Sequence, residues 1–203
     1  SKAFSEFPFH GGLVYNAPMQ VGPANPLWGE PTGYRATMVG FPYDDLDGWR
    51  VVYPAEVFIG QFEKVADGFE RAHADLAAAY DTSRNQLTAE QRTAARQELS
   101  VGEAAAIHFR STANQARFIA ARRRLQEAKS PAEAHAAGVE LERLLRAELA
   151  LARRLHAIQS DDSRIGFEAS NQYYYVPVDL AEKVINCHDL LTRWLPAARS
   201  RWR

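Results

Sequence analysis

The residues between positions 43 and 49 are the first group in this sequence that could do chemistry. The segment contains Tyr43, Asp44, Asp45, Asp47 and Trp49. Aromatic rings stack on the apolar faces of sugars, and carboxylates accept hydrogen bonds from hydroxyl groups or act as the acid and base of glycoside hydrolysis. The structural alternative is that the aspartates stabilise a turn, where Asp is favoured for its bonds to the local backbone.

Three consecutive tyrosines, at positions 173–175, form a second candidate group. Neighbouring side chains of an extended backbone point to opposite sides, so at least one of these rings is expected to face a surface, a cleft or a partner. Alternatively, Asp162 and Arg164 organise the loop, while the tyrosines cover one end of the helical body with their hydroxyl groups in water. Asp161, Asp162 and Arg164 are expected to lie beside them. The predicted ligand- or partner-binding set is Trp28, Tyr43, Asp44, Asp45, Asp47, Trp49, Glu168, Asn171, Gln172, Tyr173, Tyr174 and Tyr175.

The sequence predicts neither a metal site nor a cofactor, and it leaves the catalytic residues unassigned. The six histidines never occur in a paired ligand spacing. Phosphate-cradling glycine loops and nucleophile elbows are absent. Glu168 lacks a visible partner carboxylate, whereas glycoside hydrolysis normally uses two.

Composition limits the classes of partner. The chain has 203 residues, 24 basic and 25 acidic, and a net charge of −1, which predicts no nucleic-acid partner. The arginines at 122–124 are interpreted as a solvated, ion-paired helix face, because acidic residues interleave with them: Glu127, Glu140, Glu142 and Glu148. No apolar run approaches the roughly 18 residues of a membrane span. The single cysteine, Cys187, leaves the cellular compartment undetermined.

The elements that must position these groups fall into two regions. Residues 1–54 hold seven of the ten prolines and seven of the twelve glycines, which predicts an irregular, aromatic-rich N-terminal arm with at most one short strand, at 36–41. Residues 55–203 are predicted to form a helical bundle that is one structural unit with the arm. The chain begins at Ser1, for which processing, tag removal and excision from a larger protein are all open; we expect excision, because the first 54 residues are poorly self-sufficient.

Four long helices are predicted in the bundle. The first begins at Pro54, the second at a capping box formed by Thr88 and Gln91, the third at Ser130 and Pro131, and the fourth after Pro177. Apolar residues recur at steps of three and four in the first, third and fourth, including Leu76 and Val139. Short connections favour antiparallel neighbours. The predicted fold is therefore mainly α, an up-and-down bundle of three to four long helices.

Two segments carry a family resemblance. Residues 32–58, TGYRATMVGFPYDDLDGWRVVYPAEVF, and 162–187, DSRIGFEASNQYYYVPVDLAEKVINC, resemble the C-terminal region of large bacterial proteins related to glycoside hydrolases, similar to the arrangement in alpha-glucuronidases. There a catalytic barrel precedes a helical domain that packs on it and can support dimerisation. The resemblance implies carbohydrate as the substrate class of the parent protein, and it transfers no catalytic residue.

Three functions follow as hypotheses. The first is a noncatalytic C-terminal accessory domain that docks on, or lines the cleft of, an upstream catalytic domain of the same polypeptide. The second is a self-contained carbohydrate-binding or glycosidase module that uses Asp44, Asp45, Asp47 and Glu168. The third is a helical protein-interaction or oligomerisation domain, for which a homo-oligomer is possible.

Overall fold

The structure, a computed structural model, describes residues 22–35, 44–50, 52–168, 172–173 and 176–202. The predicted strand at 36–41 lies outside these residues. The described elements are α1 (Leu46–Arg50), α2 (Ala55–Ser83), α3 (Ala89–Glu127), α4 (Pro131–Asp161), β1 (Phe167–Glu168), β2 (Gln172–Tyr173), α5 (Pro177–Asp189), a π-helical turn (Leu190–Trp194) and α6 (Leu195–Ser200).

The helix starts follow the capping chemistry of the sequence. Thr88 and Gln91 form a reciprocal capping box at the start of α3, and Ser130 accepts a hydrogen bond from the backbone N–H of Glu133 at the start of α4. These bonds satisfy amide groups that would otherwise lack partners in the first turn. The predicted starts of the four long helices are confirmed.

The helices pack in chain order, with α2 on α3, α3 on α4 and α4 on α5. One apolar cluster joins α1 and α2 to α3 and includes Trp49 and Phe62. A second joins α3 and α4 to the last helical segments and includes Leu27 of the arm. The prediction of a mainly α, bundle-like fold is confirmed.

The bundle is uneven along its length. Residues 68–103, the end of α2 and the beginning of α3, form a helical hairpin in which not one residue is buried; we call this the distal hairpin. Leu76 is 44% exposed there, and Val139 of α4 is 51% exposed. Placing these two residues in the apolar stripes was wrong, because periodicity identifies a helix face without showing that a neighbouring helix covers it.

The segment after α4 contains a small hairpin. Gly166 has a φ of +92°, a conformation that glycine adopts without a steric penalty. β1 then pairs with β2 in antiparallel register, Phe167 opposite Tyr173 and Glu168 opposite Gln172. The predicted loop between the helices therefore contains a two-stranded ribbon.

The last helical segment contains one π-helical turn between two α-helical stretches. In the π-helical turn, the backbone N–H of Leu195 donates to the carbonyl of Leu190. Both leucines are buried, at 6% and 1% exposure, although they are five residues apart.

None of the described helices is long and apolar enough to cross a membrane.

Candidate functional site

Asp44 lies in a buried polar contact between the arm and α3. Its carboxylate accepts hydrogen bonds from the backbone N–H of Thr32 at 2.8 Å and from the Thr32 hydroxyl group. Arg122 Nη2 donates to Asp44 Oδ2 at 3.1 Å. Burial by itself raises the pKa of Asp44, but the bonds from Thr32 and Arg122 outweigh it and hold the pKa below its ordinary value.

The other two aspartates of the segment are also engaged. Asp45 is buried, and its Oδ1 accepts from the backbone N–H of Gly48 at 3.1 Å in the first turn of α1. Asp47 pairs with Arg50 at 2.8 Å and with Arg123 at 2.9 Å. Partial burial raises the pKa of Asp47, but these guanidinium groups lower it by more. All three carboxylates therefore stabilise the turn and its neighbours.

The two tryptophans of the predicted set differ in their environment. Trp49 is 1% exposed and packs in the apolar cluster between α1, α2 and α3, so its ring is not available to stack on a sugar. Trp28 is 42% exposed, and its carbonyl accepts a hydrogen bond from Arg122 Nη1 at 2.7 Å. Of the two rings, that of Trp28 is the accessible one.

The remaining predicted residues fall partly outside the described residues. Four of them lie outside the described residues: Tyr43, Asn171, Tyr174 and Tyr175. Glu168, Gln172 and Tyr173 are placed by their backbone in β1 and β2. The predicted convergence of Glu168 with the three aspartates, and the role of the tyrosines, stay predictions.

A polar cleft of about 420 Å³ lies where the distal hairpin meets the end of α4, just before the strands that carry the tyrosine segment. It contains Asp161, Asp162 and Arg164, which the sequence placed near the tyrosines, together with side chains of α3 that the sequence did not indicate. Those α3 residues are Thr93, Arg96, Gln97 and Ser100.

The charges of this polar cleft are only partly paired. Asp162 accepts from Arg164 Nε at 2.8 Å and Nη2 at 2.6 Å, and this fork lowers the pKa of Asp162 to about 2. Within the part of the chain that the structure describes, the side chains of Arg96 and Asp161 form no hydrogen bond or ion pair. One cation and one carboxylate, flanked by neutral hydrogen-bonding groups, are thus available to a hydroxylated or charged ligand of small size.

A buried polar network, which the sequence analysis missed, connects three helices. Glu148 of α4 accepts from Ser111 Oγ at 2.7 Å and Asn114 Nδ2 at 2.9 Å, and pairs with Lys183 of α5 at 3.0 Å. Glu148 and Lys183 are both fully buried. Buried charges are tolerated only when they are paired and hydrogen-bonded, as here.

The interpretation of Arg122 and Glu148 as part of a solvated face was wrong. Arg122 is 2% exposed and Glu148 is 0% exposed. Arg122 is followed by two more arginines, so its burial leaves no local signature. Glu148 did leave a signal, because it is flanked by Ala147 and Leu149 and lies on the same helix face as Leu144 and Leu155. A second signal lies in α3, where Ser111, Asn114 and Gln115 occupy the stretch between the buried residues Ile107 and Phe118.

No protein-family model, curated protein or solved structure matches this chain. The class of molecule is thus defined by its fold, a mainly α, bundle-like domain. The polar cleft and the turn at 44–49 are its candidate functional features.

Proposed function

We propose that this chain is a noncatalytic helical accessory domain of a carbohydrate-active protein, which docks on, or lines the cleft of, a catalytic domain in the same polypeptide. The observation that carries the noncatalytic part is the engagement of Asp44, Asp45 and Asp47 by cations or backbone amides. The carbohydrate part is supported by the resemblance of residues 32–58 and 162–187.

The direction of the pKa shifts supports this proposal. A general acid for glycoside hydrolysis must hold its proton near neutral pH, so its pKa is normally raised. The pKa values of Asp44 and Asp47 are instead lowered. Both groups are therefore ionised at neutral pH and are poor proton donors.

The polar cleft is the surface through which this domain would contact carbohydrate. Arg96 provides a donor and Asp161 an acceptor, neither of which is paired among the described residues, and Gln97 adds an amide that can both donate and accept. Vicinal hydroxyl groups match these planar side chains, because a hydroxyl group can accept from the guanidinium group and donate to the carboxylate. The contact would supply affinity and orientation, while the catalytic domain would supply the acid and the base.

The first experiment separates the accessory domain from a self-contained glycosidase. The chain is incubated with a panel of aryl glycosides, and release of the aryl alcohol is measured over a day. No turnover above buffer is expected. Turnover that disappears in the Glu168→Gln variant would replace this proposal with the glycosidase hypothesis.

The second experiment tests the carbohydrate contact. Binding of neutral and acidic oligosaccharides is measured by saturation-transfer NMR for the chain and for its Arg96→Gln and Asp161→Asn variants. Loss of the signal in both variants is expected. The matched control is Arg71→Gln, because Arg71 is an exposed arginine of α2 that does not line the cleft. Equal signals in all four proteins, or no signal with any oligosaccharide, would count against the proposal.

A specific observation also favours the interaction-domain hypothesis. The distal hairpin has no buried residue and exposes Leu76 and Val101, which are 44% and 54% accessible. Helices gain most of their stability in water from packing of an apolar face. Sedimentation velocity of the chain and of Leu76→Glu tests this alternative: a dimer that the substitution dissociates would support it.

A further inference from the structure

Residues 22–30 of the arm lie in a groove between α3 and α5 and are recognised there mainly through their main chain. From α3, Gln115 Nε2 donates to the carbonyl of Gly22, and Arg122 Nη1 donates to the carbonyls of Trp28 and Glu30 at 2.7 and 3.1 Å. Main-chain atoms are common to every residue, so these three bonds specify a backbone path and do not depend on the identity of the side chains.

The α5 side of the groove acts in the same way. Lys183 Nζ donates to the carbonyl of Asn25. The side-chain amide of Asn186 bonds both main-chain groups of Leu27, accepting from its N–H at 2.8 Å and donating to its carbonyl at 2.9 Å. An asparagine that satisfies both groups of one residue replaces the partner strand that an extended segment would have in a sheet.

Side-chain requirements are few and local. Leu27 is 4% exposed and joins the apolar cluster of α3, α4 and α5. A Cβ at Gly22 would lie 2.9 Å from the His108 ring, and a Cβ at Gly29 would lie 2.6 Å from the Trp194 indole. Glu30 accepts from Gln126 Nε2 and Trp194 Nε1, both at 3.3 Å. The groove therefore requires glycine at two positions, a leucine between them and an acidic residue at the end.

Two features fix the geometry of the groove residues, one on α3 and one on α5. His108, Gln115 and Arg122 are spaced by seven residues, which places them on one face of α3. Lys183 is held by Glu148 of α4 at 3.0 Å. A helix face with fixed donors, backed by a fully buried ion pair, keeps its geometry whichever chain supplies the segment.

We propose that the groove between α3 and α5 is a binding site for a peptide that resembles residues 22–30, with Gly22, Leu27, Gly29 and Glu30 as side-chain determinants, and that it accepts these residues of a second copy of this chain in place of its own. Exchange of an identical segment between protomers is a low-cost route to a dimer, because each contact is re-formed in the partner. In the monomer, residues 22–30 of the same chain then occupy this binding site.

The test uses the whole chain with a specific protease site inserted between Gly33 and Tyr34. Tyr34 is 74% exposed, and nothing lies within 4 Å of a Cβ built on Gly33. After cleavage, the N-terminal fragment is expected to stay bound during size exclusion and to exchange with a labelled peptide of residues 22–32. A peptide carrying Leu27→Ala and Gly29→Ala should bind at least tenfold more weakly. The Asn186→Ala chain should show a similar loss with the natural peptide.

Equal binding of the two peptides, or a folded cleaved chain that takes up neither, would overturn the peptide site. If cleavage unfolds the chain, as judged by circular dichroism, the uncut chain decides. Isotopically light and heavy copies are mixed at high concentration in mild urea, returned to buffer and examined by native mass spectrometry. Dimers of mixed mass are expected, and monomers alone would contradict exchange with a second copy.

Discussion

Arg122 and Asp44 are 78 residues apart in the sequence, yet Arg122 Nη2 lies 3.1 Å from Asp44 Oδ2 and both side chains are almost fully buried. The pair ties the segment that precedes α1 to the middle of α3. Removing one partner of a buried pair leaves the other charge uncompensated, which usually costs about 3 to 5 kcal/mol.

Asp44→Asn is therefore expected to lower the free energy of unfolding by about 3 kcal/mol, because Arg122 keeps its charge and loses its counter-ion. Urea denaturation followed by circular dichroism measures the change. The matched control is Asp47→Asn, whose carboxylate is 45% exposed and pairs with Arg50 and Arg123; it should cost less than about 1 kcal/mol. Equal losses would show that the burial of Asp44 is not decisive.

The Glu148–Lys183 pair predicts strong non-additivity. Glu148→Leu and Lys183→Met should each destabilise the chain by several kcal/mol, about 3 to 5, because each leaves one buried charge alone. The double variant should be more stable than the sum of the single effects predicts, by more than about 1 kcal/mol. The same urea experiment gives all four corners of the cycle, and additive effects would refute the coupling.

His108 predicts a loss of stability in mild acid. Burial against Gly22 lowers the pKa of its ring from 6.5 to about 4. The unfolded chain therefore binds this proton more readily, so stability is complete above pH 6.5 and falls as the pH drops toward 4, by up to about 3 kcal/mol. Thermal unfolding at pH 7, 6 and 5 measures the slope.

The variant His108→Gln should flatten that slope, whereas His135→Gln, at an exposed position of α4, should leave it unchanged. The lowered pKa of Asp44 affects the stability of the chain in a more acidic pH range. Its stabilisation is present above the ordinary value of 3.8 and is lost as the pH falls through the lower pKa of the folded chain. An unchanged slope in His108→Gln between pH 7 and 5 would exclude His108 as the origin.

The distal hairpin should open independently of the rest of the bundle. Residues 68–103 contain no buried side chain, whereas residues 111–116 of α3 are all buried. Regions with few buried apolar contacts open with free energies below that of global unfolding. Hydrogen exchange followed by mass spectrometry should show peptides from 72–100 exchanging at least tenfold faster than peptides from 107–125. Uniform protection along α3 would contradict this prediction.

Two glycine substitutions should change stability in opposite directions. Gly29→Ala places a Cβ 2.6 Å from the Trp194 indole, so the ring or the arm must move at a cost of about 1 to 3 kcal/mol. Gly60→Ala lies within α2, where nothing comes within 4 Å of the new Cβ, and helix propensity should add about 0.5 to 1 kcal/mol. Melting temperatures of the two variants test both signs.

The helix starts were predictable because their chemistry is local. Thr88 with Gln91, and Ser130 with Pro131, satisfy the first amide groups of their own helices, so no distant residue is needed to recognise them. The polar cleft was predictable in part, since Asp161, Asp162 and Arg164 are close in sequence. The contribution of Arg96 was not, because it comes from a helix that ends more than 30 residues earlier.

Burial of charge was the main feature that the sequence did not reveal. Arg122 stands beside two other arginines, and Glu148, although it lies on the apolar face of α4, carries a charge that normally stays in water. Whether each charge can be buried depends on a partner that only the fold brings near: Asp44 for Arg122, and Lys183 for Glu148. The sequence was informative about elements and uninformative about pairs that are 35 or more residues apart.

The π-helical turn at Leu190–Trp194 has a consequence for insertions and deletions. Five residues of α-helix turn the chain by about 500°, which would leave Leu195 about 140° away from the direction of Leu190. The wider turn brings the two leucines back toward the same side, where both are buried. Deleting one residue between Leu190 and Leu195 would restore the α period and place Leu195 four residues after Leu190, about 40° from its direction, so both leucines would keep the same side. The turn thus accommodates one extra residue in the chain without turning the C-terminal helix away from the bundle.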